Sequence, residues 1–459
     1  MTSKTISVRL AMGGISLLAA AVMLAAPARA QSLQDALRQT TFTGELGLTN
    51  FTYANAGHSG NMTNGFGVGG HLIVHTGALD GFSVGLGGYT GQSLGLYSHN
   101  PAHDDTELTG RTHSLQSVRE AYLQFENPWL EVRGGRQMLN TPYANQDLYT
   151  FSPRAFMGFS GVANIIGGSN GEADAAPMGL KTSTATLSVF GARIFGYNSR
   201  YSSDFTTGNR YLSKSNGFIA AGARYQNTFA GTNVSLQGWY YDFYGLGQLV
   251  YGQADFATPL SANETVFGAA QMLAEGNSGN GISRYGSVDA HIYGGKLGMS
   301  FGADDVAMIG DYSPIAYNSF RHGGVIHPYN DNSGTTFTDT MQTGIPDFGP
   351  GYAIGITGDV VALDGKLKIS PTYVEYKVDY GFGGNVYNFS GPYAFPTGTP
   401  VHDQAIHVID SNFNYNLSSV LPGLSADWDA DAAFAENGNQ GQHFNNPYFS
   451  SRIYLKYDF

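Results

Sequence analysis

Cysteine is absent from the 459 residues. That excludes a disulfide scaffold, a thiolate metal site, iron–sulfur ligation and a cysteine nucleophile. Charge is scarce: 13% of residues are Asp, Glu, Lys or Arg, against ~25% in a typical soluble domain. The charge present is mostly acidic, 35 Asp and Glu against 23 Lys and Arg. A chain without a basic stripe is a poor nucleic-acid binder. Past residue 30 no apolar run approaches the ~18 residues that a spanning helix needs. No G-x-S-x-G elbow and no H-E-x-x-H pair occurs, so the local signatures of serine hydrolases and zinc proteases are missing. The abundant residues are 63 glycines, 29 tyrosines and 28 phenylalanines. Few charges beside many aromatics also argue against disorder.

Residues 1–30 have the layout of an export signal. Lys4 and Arg9 precede an apolar stretch from Leu10 to Ala26, and Ala28-Arg29-Ala30 is a small-x-small cleavage site. Removing them leaves 20 basic against 35 acidic residues. Residues 31–41 are expected to form a short periplasmic segment, with a helix near 32–39.

From residue 42 to 459 the chain alternates with period two, as a strand with one apolar face does. Ile453, Leu455, Tyr457 and Phe459 oppose Arg452, Tyr454, Lys456 and Asp458. Leu424, Ala426, Trp428, Ala430, Ala432 and Phe434 oppose Asp427, Asp429 and Asp431. Ile409, Phe413, Tyr415 and Leu417 oppose Asp410, Asn412, Asn414 and Asn416, and Val288, Ala290 and Ile292 oppose Asp289, His291 and Tyr293. The pairs Asp80-Gly81 and Asp364-Gly365 mark tight hairpins. Short connections fall near 77–81, 126–129, 229–232, 302–304, 364–365 and 418–423. Long polar ones fall near 94–113, 139–155, 197–216, 246–284, 316–350, 381–403 and 437–448. Short periplasmic turns alternating with long external loops define a transmembrane antiparallel β-barrel. The strands number about sixteen, with room for two short ones in 246–283. A sandwich core stops growing near ~250–300 residues, whereas this alternation persists throughout with no linker.

An eight-stranded barrel fills with side chains, while sixteen to eighteen strands leave an aqueous channel. Passive diffusion of small polar solutes is the expected function. A plugged structural or adhesion barrel and a barrel hydrolase are the alternatives. No cofactor is expected. The cluster His99, His103, Asp104, Asp105, Glu107 and His113 reads as a solvated loop, with a metal site as its minor alternative.

Between 118 and 156 the sequence runs Arg119-Glu120-Ala121-Tyr122-Leu123-Gln124, then Trp129-Leu130-Glu131-Val132-Arg133-Gly134-Gly135-Arg136-Gln137, then Asn140-Thr141-Pro142-Tyr143-Ala144-Asn145 and Pro153-Arg154-Ala155-Phe156. This series resembles the OprD-type porins of Gram-negative outer membranes. The resemblance implies an eighteen-stranded, monomeric barrel with a narrow pore. It also implies an inward-folded constriction loop, here 139–155, and a ladder of arginines that guides small carboxylate-bearing solutes. Outer-membrane lipid and, through the Phe459 strand, the β-barrel assembly machinery are the expected partners.

The pore-lining candidates are Glu120, Tyr122, Glu131, Arg133, Arg136, Arg154, Arg224, Lys368, Asp427, Asp429, Asp431 and Arg452. Two of the basic residues break the alternation. Arg136 falls on the lipid parity and needs a rim position or a bulge, and Arg119 shares a face with Ala121 and Leu123. Each arginine can equally serve a salt bridge within the wall. The aspartate row departs from a purely basic ladder: a solute carrying both charges, such as a basic amino acid, suits two opposed walls.

Overall fold

The computed structural model describes residues 32–54, 62–167, 185–278, 287–329, 335–341, 344–348, 350–380, 401–435 and 448–459. The expected signal sequence lies outside them. Among the described residues no helix is long and apolar enough to cross a membrane. The chain enters through a six-residue helix, α1 (Leu33–Arg38), whose first turn is capped by the Ser32 hydroxyl accepting from the Asp35 amide.

Twenty strands follow among the described residues. The first five are β1 (Thr41–Ala54), β2 (Thr63–His75), β3 (Phe82–Gln92), β4 (Ser114–Asn127) and β5 (Leu130–Gln137). Two short strands, β6 (Asn140–Thr141) and β7 (Ala144–Asn145), form a separate hairpin. Next come β8 (Ala155–Ile166), β9 (Thr186–Asn198), β10 (Phe218–Phe229), β11 (Thr232–Phe243), β12 (Gly247–Pro259) and β13 (Glu264–Asn277). The chain closes with β14 (Asp289–Phe301), β15 (Asp304–Ser313), β16 (Gly351–Ala362), β17 (Leu367–Tyr380), β18 (Val401–Asn416), β19 (Leu424–Ala435) and β20 (Tyr448–Asp458).

All but β6 and β7 belong to one eighteen-stranded sheet in which each strand pairs antiparallel with its sequence neighbours. The pairing of β1 with both β2 and β20 closes the ring, so no unpaired edge is left for hydrocarbon. The last residue takes part: Phe459 and Gly44 exchange both backbone hydrogen bonds, each 3.0 Å. Segment 246–284, expected as a long loop with room for two short strands, instead holds the full-length pair β12 and β13 joined at 260–263. Its many alanines and glycines weaken the alternation that marks the other strands.

The apolar parity faces outward. Leu46, Leu48, Leu86, Leu297, Ile354, Ile409, Ile453, Leu455 and Trp428 are all exposed. Tyr293, Tyr312 and Tyr352 lie in one cross-strand row on the outside, the aromatic girdle of a membrane interface. On β14 the expected faces are inverted. Ala290 and Ile292 are fully buried and Tyr293 is exposed, because the inside of the barrel at this point is an apolar contact and not open water.

That contact is an aromatic core within the outer half of the barrel. Inward side chains Phe218, Trp239, Tyr241, Phe243 and Tyr251 pack with Tyr143 and Tyr329 from the long loops. Tyr143 meets Tyr241 and Tyr251 edge-on, with ring centroids 6.1 and 5.8 Å apart. Each such pair contributes ~0.5–1.5 kcal/mol beyond its burial. Glycine is required where strands are drawn tight. Gly135 has φ +133°, and a Cβ there would lie 2.3 Å from the Ala121 carbonyl oxygen.

Candidate functional site

Two long connections turn inward. The first joins β5 to β8, and its Leu139, Tyr143, Ala144, Phe151 and Arg154 are buried. What fixes it is a bulge in β4. The pairing skips from Gly87↔Glu120 to Gly88↔Val118, so Arg119 has no partner in the register. The extra residue shifts the face, and Arg119 points inward, wholly buried. Its guanidinium donates to the carbonyls of Pro153, Ser199 and Ser202, and at longer range to those of Asn198 and Arg200. Five carbonyls, four from two connections and one from the end of β9, thus converge on one cation.

Next to it lies an arginine–carboxylate–tyrosine network. Arg154 Nη2 is 2.9 Å from Asp147 Oδ2, and Arg200 Nη1 meets the same oxygen. Arg200 stacks over the Tyr149 ring at 4.0 Å, and Arg452 covers that ring at 4.3 Å. Arg452 also donates to the Tyr53 hydroxyl at 3.1 and 3.2 Å. Glu107 accepts from Tyr53 at 2.7 Å and from Tyr149.

On the adjoining wall Arg133 pairs with Glu131 at 2.9 Å, donates to Gln124 at 2.8 Å and lies 5.0 Å over the Tyr122 ring. Its side chain keeps 12% exposure, where Arg154 and Arg452 keep 1% and 4%. Glu120 accepts from the Tyr89 hydroxyl at 2.7 Å.

The second inward connection, between β15 and β16, was expected to be an external loop. Carboxylates on the wall grip its backbone. Asp311 accepts from the Thr338 amide at 2.8 Å and its hydroxyl at 2.7 Å. Asp410 accepts from the Met341 amide at 2.9 Å, and Glu275 from the Ile326 amide at 2.7 Å. The two connections also touch. Ala144 and Tyr329 form a parallel bridge, and Thr335 donates to the Tyr143 hydroxyl at 2.8 Å.

The remaining candidates fall in three places. Arg224 points inward on β10 and donates to Ser235 at 3.3 Å. Lys368 pairs with Asp359 at 3.1 Å and is part-exposed. In the aspartate row, Asp429 and Asp431 are buried while Asp427 is half-buried. Asn412 and Asn414 donate to Asp429 and Asp427. Arg452 stands directly across the register from Asp429, so basic and acidic groups adjoin there and do not face each other across the lumen. Arg136 is a correction. It keeps the outward parity of Val132, lies near the outer end of β5, donates to the Val118 carbonyl at 3.2 Å and stacks 4.8 Å over Phe205. The bulge that turns Arg119 inward has no counterpart that turns Arg136.

In the loop after β3, His113 Nε2 lies 3.5 Å from Asp104 and its ring stacks on Tyr97 at 3.7 Å. Among the described residues no three His, Asp or Glu side chains converge as metal ligands would.

A closed eighteen-stranded barrel with aliphatic side chains outside, a polar wall inside and inward loops defines the porin class of transmembrane barrels. No family model matches the chain, and no curated protein matches it. Solved structures do. OccK9 (OpdG) of Pseudomonas aeruginosa superposes with a TM-score of 0.68 at 12% identity, over 92% of this chain and 99% of that one. OpdK of the same organism, solved with vanillate, gives 0.63 at 16% identity over 91% and 98%. OccK2 (OpdF), in complex with glucuronate, gives 0.64 at 13% identity over 92% and 98%. The chain has the fold of these OprD-type porins.

Proposed function

We propose that the chain is an outer-membrane porin through which small polar solutes diffuse passively, with carboxylate-bearing molecules as its preferred class. The observation that carries the reading is the closed ring of eighteen strands with apolar residues outside and a polar inner wall. A ring of that size encloses a channel that side chains alone do not fill. The two inward connections narrow it, so selectivity belongs to the groups at their edge. On the β5 wall, Arg133 is an arginine that retains exposure beside Tyr122. A guanidinium fork pairs with a carboxylate bidentately. Vanillate and glucuronate, the molecules found with the similar structures, are both carboxylates.

In this reading the pore line is Arg133, Glu131, Glu120, Tyr122, Lys368 and Asp427, with Arg154, Arg224, Asp429, Asp431 and Arg452 setting the field behind it. The protein acts as a monomer, without enzymatic activity, after removal of its first thirty residues. The exposed ring of Phe459, on the closing strand, is the group presented to the assembly machinery.

The test is conductance of the refolded protein in planar bilayers, paired with swelling of vesicles in vanillate, glucuronate and glucose. Stepwise channels and faster swelling in the two carboxylates than in glucose support the reading. A barrel that folds but never conducts identifies a plugged structural protein instead, and equal rates for all three solutes remove the carboxylate preference.

A further inference from the structure

The outer wall carries charge where lipid is expected. Among the described residues of β4, β5, β8, β9 and β10, the outward-pointing charges are Arg136 and Arg193, both positive. Arg136 pairs across the sheet with Met157, and Arg193 with Phe159, both on β8 between them. Sheet spacing places their Cα atoms about 12 Å apart. Each guanidinium is held flat by an aromatic ring from an external connection. Arg136 lies 4.8 Å over Phe205 and Arg193 lies 5.0 Å over Tyr244. Each spends one nitrogen on a backbone carbonyl, Arg136 Nη1 on Val118 and Arg193 Nη1 on Ile194. Arg193 Nη1 also reaches the Phe218 carbonyl at 3.5 Å. Beside them Phe159, directly across the register from Arg193, and Phe195, two residues nearer the external end, are exposed, their rings 6.4 Å apart.

An arginine on the lipid face costs ~2–4 kcal/mol at the bilayer midplane but ~0–1 near an interface. Both residues sit at the level of the external connections, where headgroups lie. Two braced cations beside exposed aromatic rings match a lipid whose phosphate is the polar part and whose chains lie against the wall next to it. Lipid phosphates draw a nearby arginine by ~1 kcal/mol each.

We propose that the outer rim of β5, β8 and β9 is a binding site for a phosphate-bearing lipid of the external leaflet, with Arg136 and Arg193 as its cationic contacts. The proposal rests on the reading of the chain as an outer-membrane barrel with its long loops outside, and does not depend on what passes through the pore.

The experiment is native mass spectrometry of the detergent-folded protein titrated with a bisphosphorylated glycolipid and with its dephosphorylated form. The protein is expected to retain the phosphorylated form preferentially. The R136Q/R193Q variant should lose about thirtyfold in affinity, the equivalent of about 2 kcal/mol. R136K/R193K should recover part of it, and K366Q, a charge removed at the opposite rim, should bind as the parent does. Equal retention of the two glycolipids, or an unchanged R136Q/R193Q variant, overturns the proposal. Displacement by millimolar inorganic phosphate would show a soluble-anion site and overturns the lipid assignment. Bilayer conductance of R136Q/R193Q stays at the parent level, which separates failure here from failure of the porin reading.

Discussion

At the scale of single residues, Arg119 determines most of the inner geometry. Its place in the alternation marked it as misplaced among Ala121 and Leu123, and a bulge is what resolves the conflict. Its partners could not be read from sequence, because carbonyls at 153 and 198–202 carry no residue signature. Replacing Arg119 with Met leaves buried carbonyls without donors, at a cost of ~1–3 kcal/mol for each that water cannot reach. The expected loss in folding stability is about 3 kcal/mol, read from urea titration in lipid vesicles. A loss under ~0.5 kcal/mol would show that water already serves those carbonyls.

Asp105, in the external connection after β3, gives a pH-dependent counterpart. Burial, with the charge of Glu107 as second cause, raises its carboxyl pKa to about 7. Its neutral form is therefore favoured in the folded state. The associated stability is complete below the unfolded value near ~4 and is lost as pH rises through about 7. Asp105→Asn should flatten that decline and make the protein more stable than the parent at pH 8, by the order of 1 kcal/mol. Thermal unfolding at pH 5 and pH 8 measures it. Parallel curves for variant and parent would contradict the assignment.

At the scale of elements, the strands were legible wherever one face meets lipid and the other meets water. The alternation of β19 and β20, and the Asp-Gly turns before β3 and β17, needed nothing more. Legibility failed where that contrast fails. Gly252, Ala254, Ala269 and Ala270 blur the faces of β12 and β13. On β14 the inner face is apolar because an inward connection covers it. The second inward connection was invisible for a further reason. Thr335, Thr336, Thr338 and Thr340 look like any solvated loop, and the groups that draw it in, Asp311, Asp410 and Glu275, lie on three separate strands.

This arrangement predicts a consequence for the channel. Asp311 binds the Thr338 amide and hydroxyl together, so Asp311→Ala removes the acceptor of two hydrogen bonds at once and loosens the connection around Thr338, while Asp410 still holds Met341. Conductance should rise and its open-channel noise should increase, with the barrel itself still folded by heat-modified mobility on gels. Asp427→Ala, on a wall residue that does not hold this connection, should leave the noise unchanged. Unaltered conductance in Asp311→Ala would mean that Asp410, Glu275 and the contacts to Tyr143 and Ala144 suffice to hold the connection.

At the scale of the whole molecule, an acidic chain gathers arginines around its inward connection. The excess of carboxylates does not decide which ions pass, because Asp311, Asp410 and Glu275 are engaged with backbone amides and Asp429 with Asn412 and its neighbour Arg452. Most arginines are likewise engaged, Arg119 with carbonyls, Arg154 with Asp147 and Arg452 with Tyr53. The balance then turns on the pair Arg133 and Glu131, whose side chains keep 12% and 11% exposure. A unit charge a few ångströms from a passing ion contributes ~1 kcal/mol even at high effective dielectric, about a fivefold change in partition. Arg133→Gln should move the reversal potential in a potassium chloride gradient toward cation selectivity and slow vesicle swelling in glucuronate. Glu131→Gln should move both in the opposite direction, and the double variant should fall between. Glucose swelling, which has no charge to sense, should stay the same in all three. If both single variants shifted selectivity in the same direction, the pair would be acting through the shape of the constriction and not through its field, and the carboxylate preference would have to be sought among the buried arginines behind it.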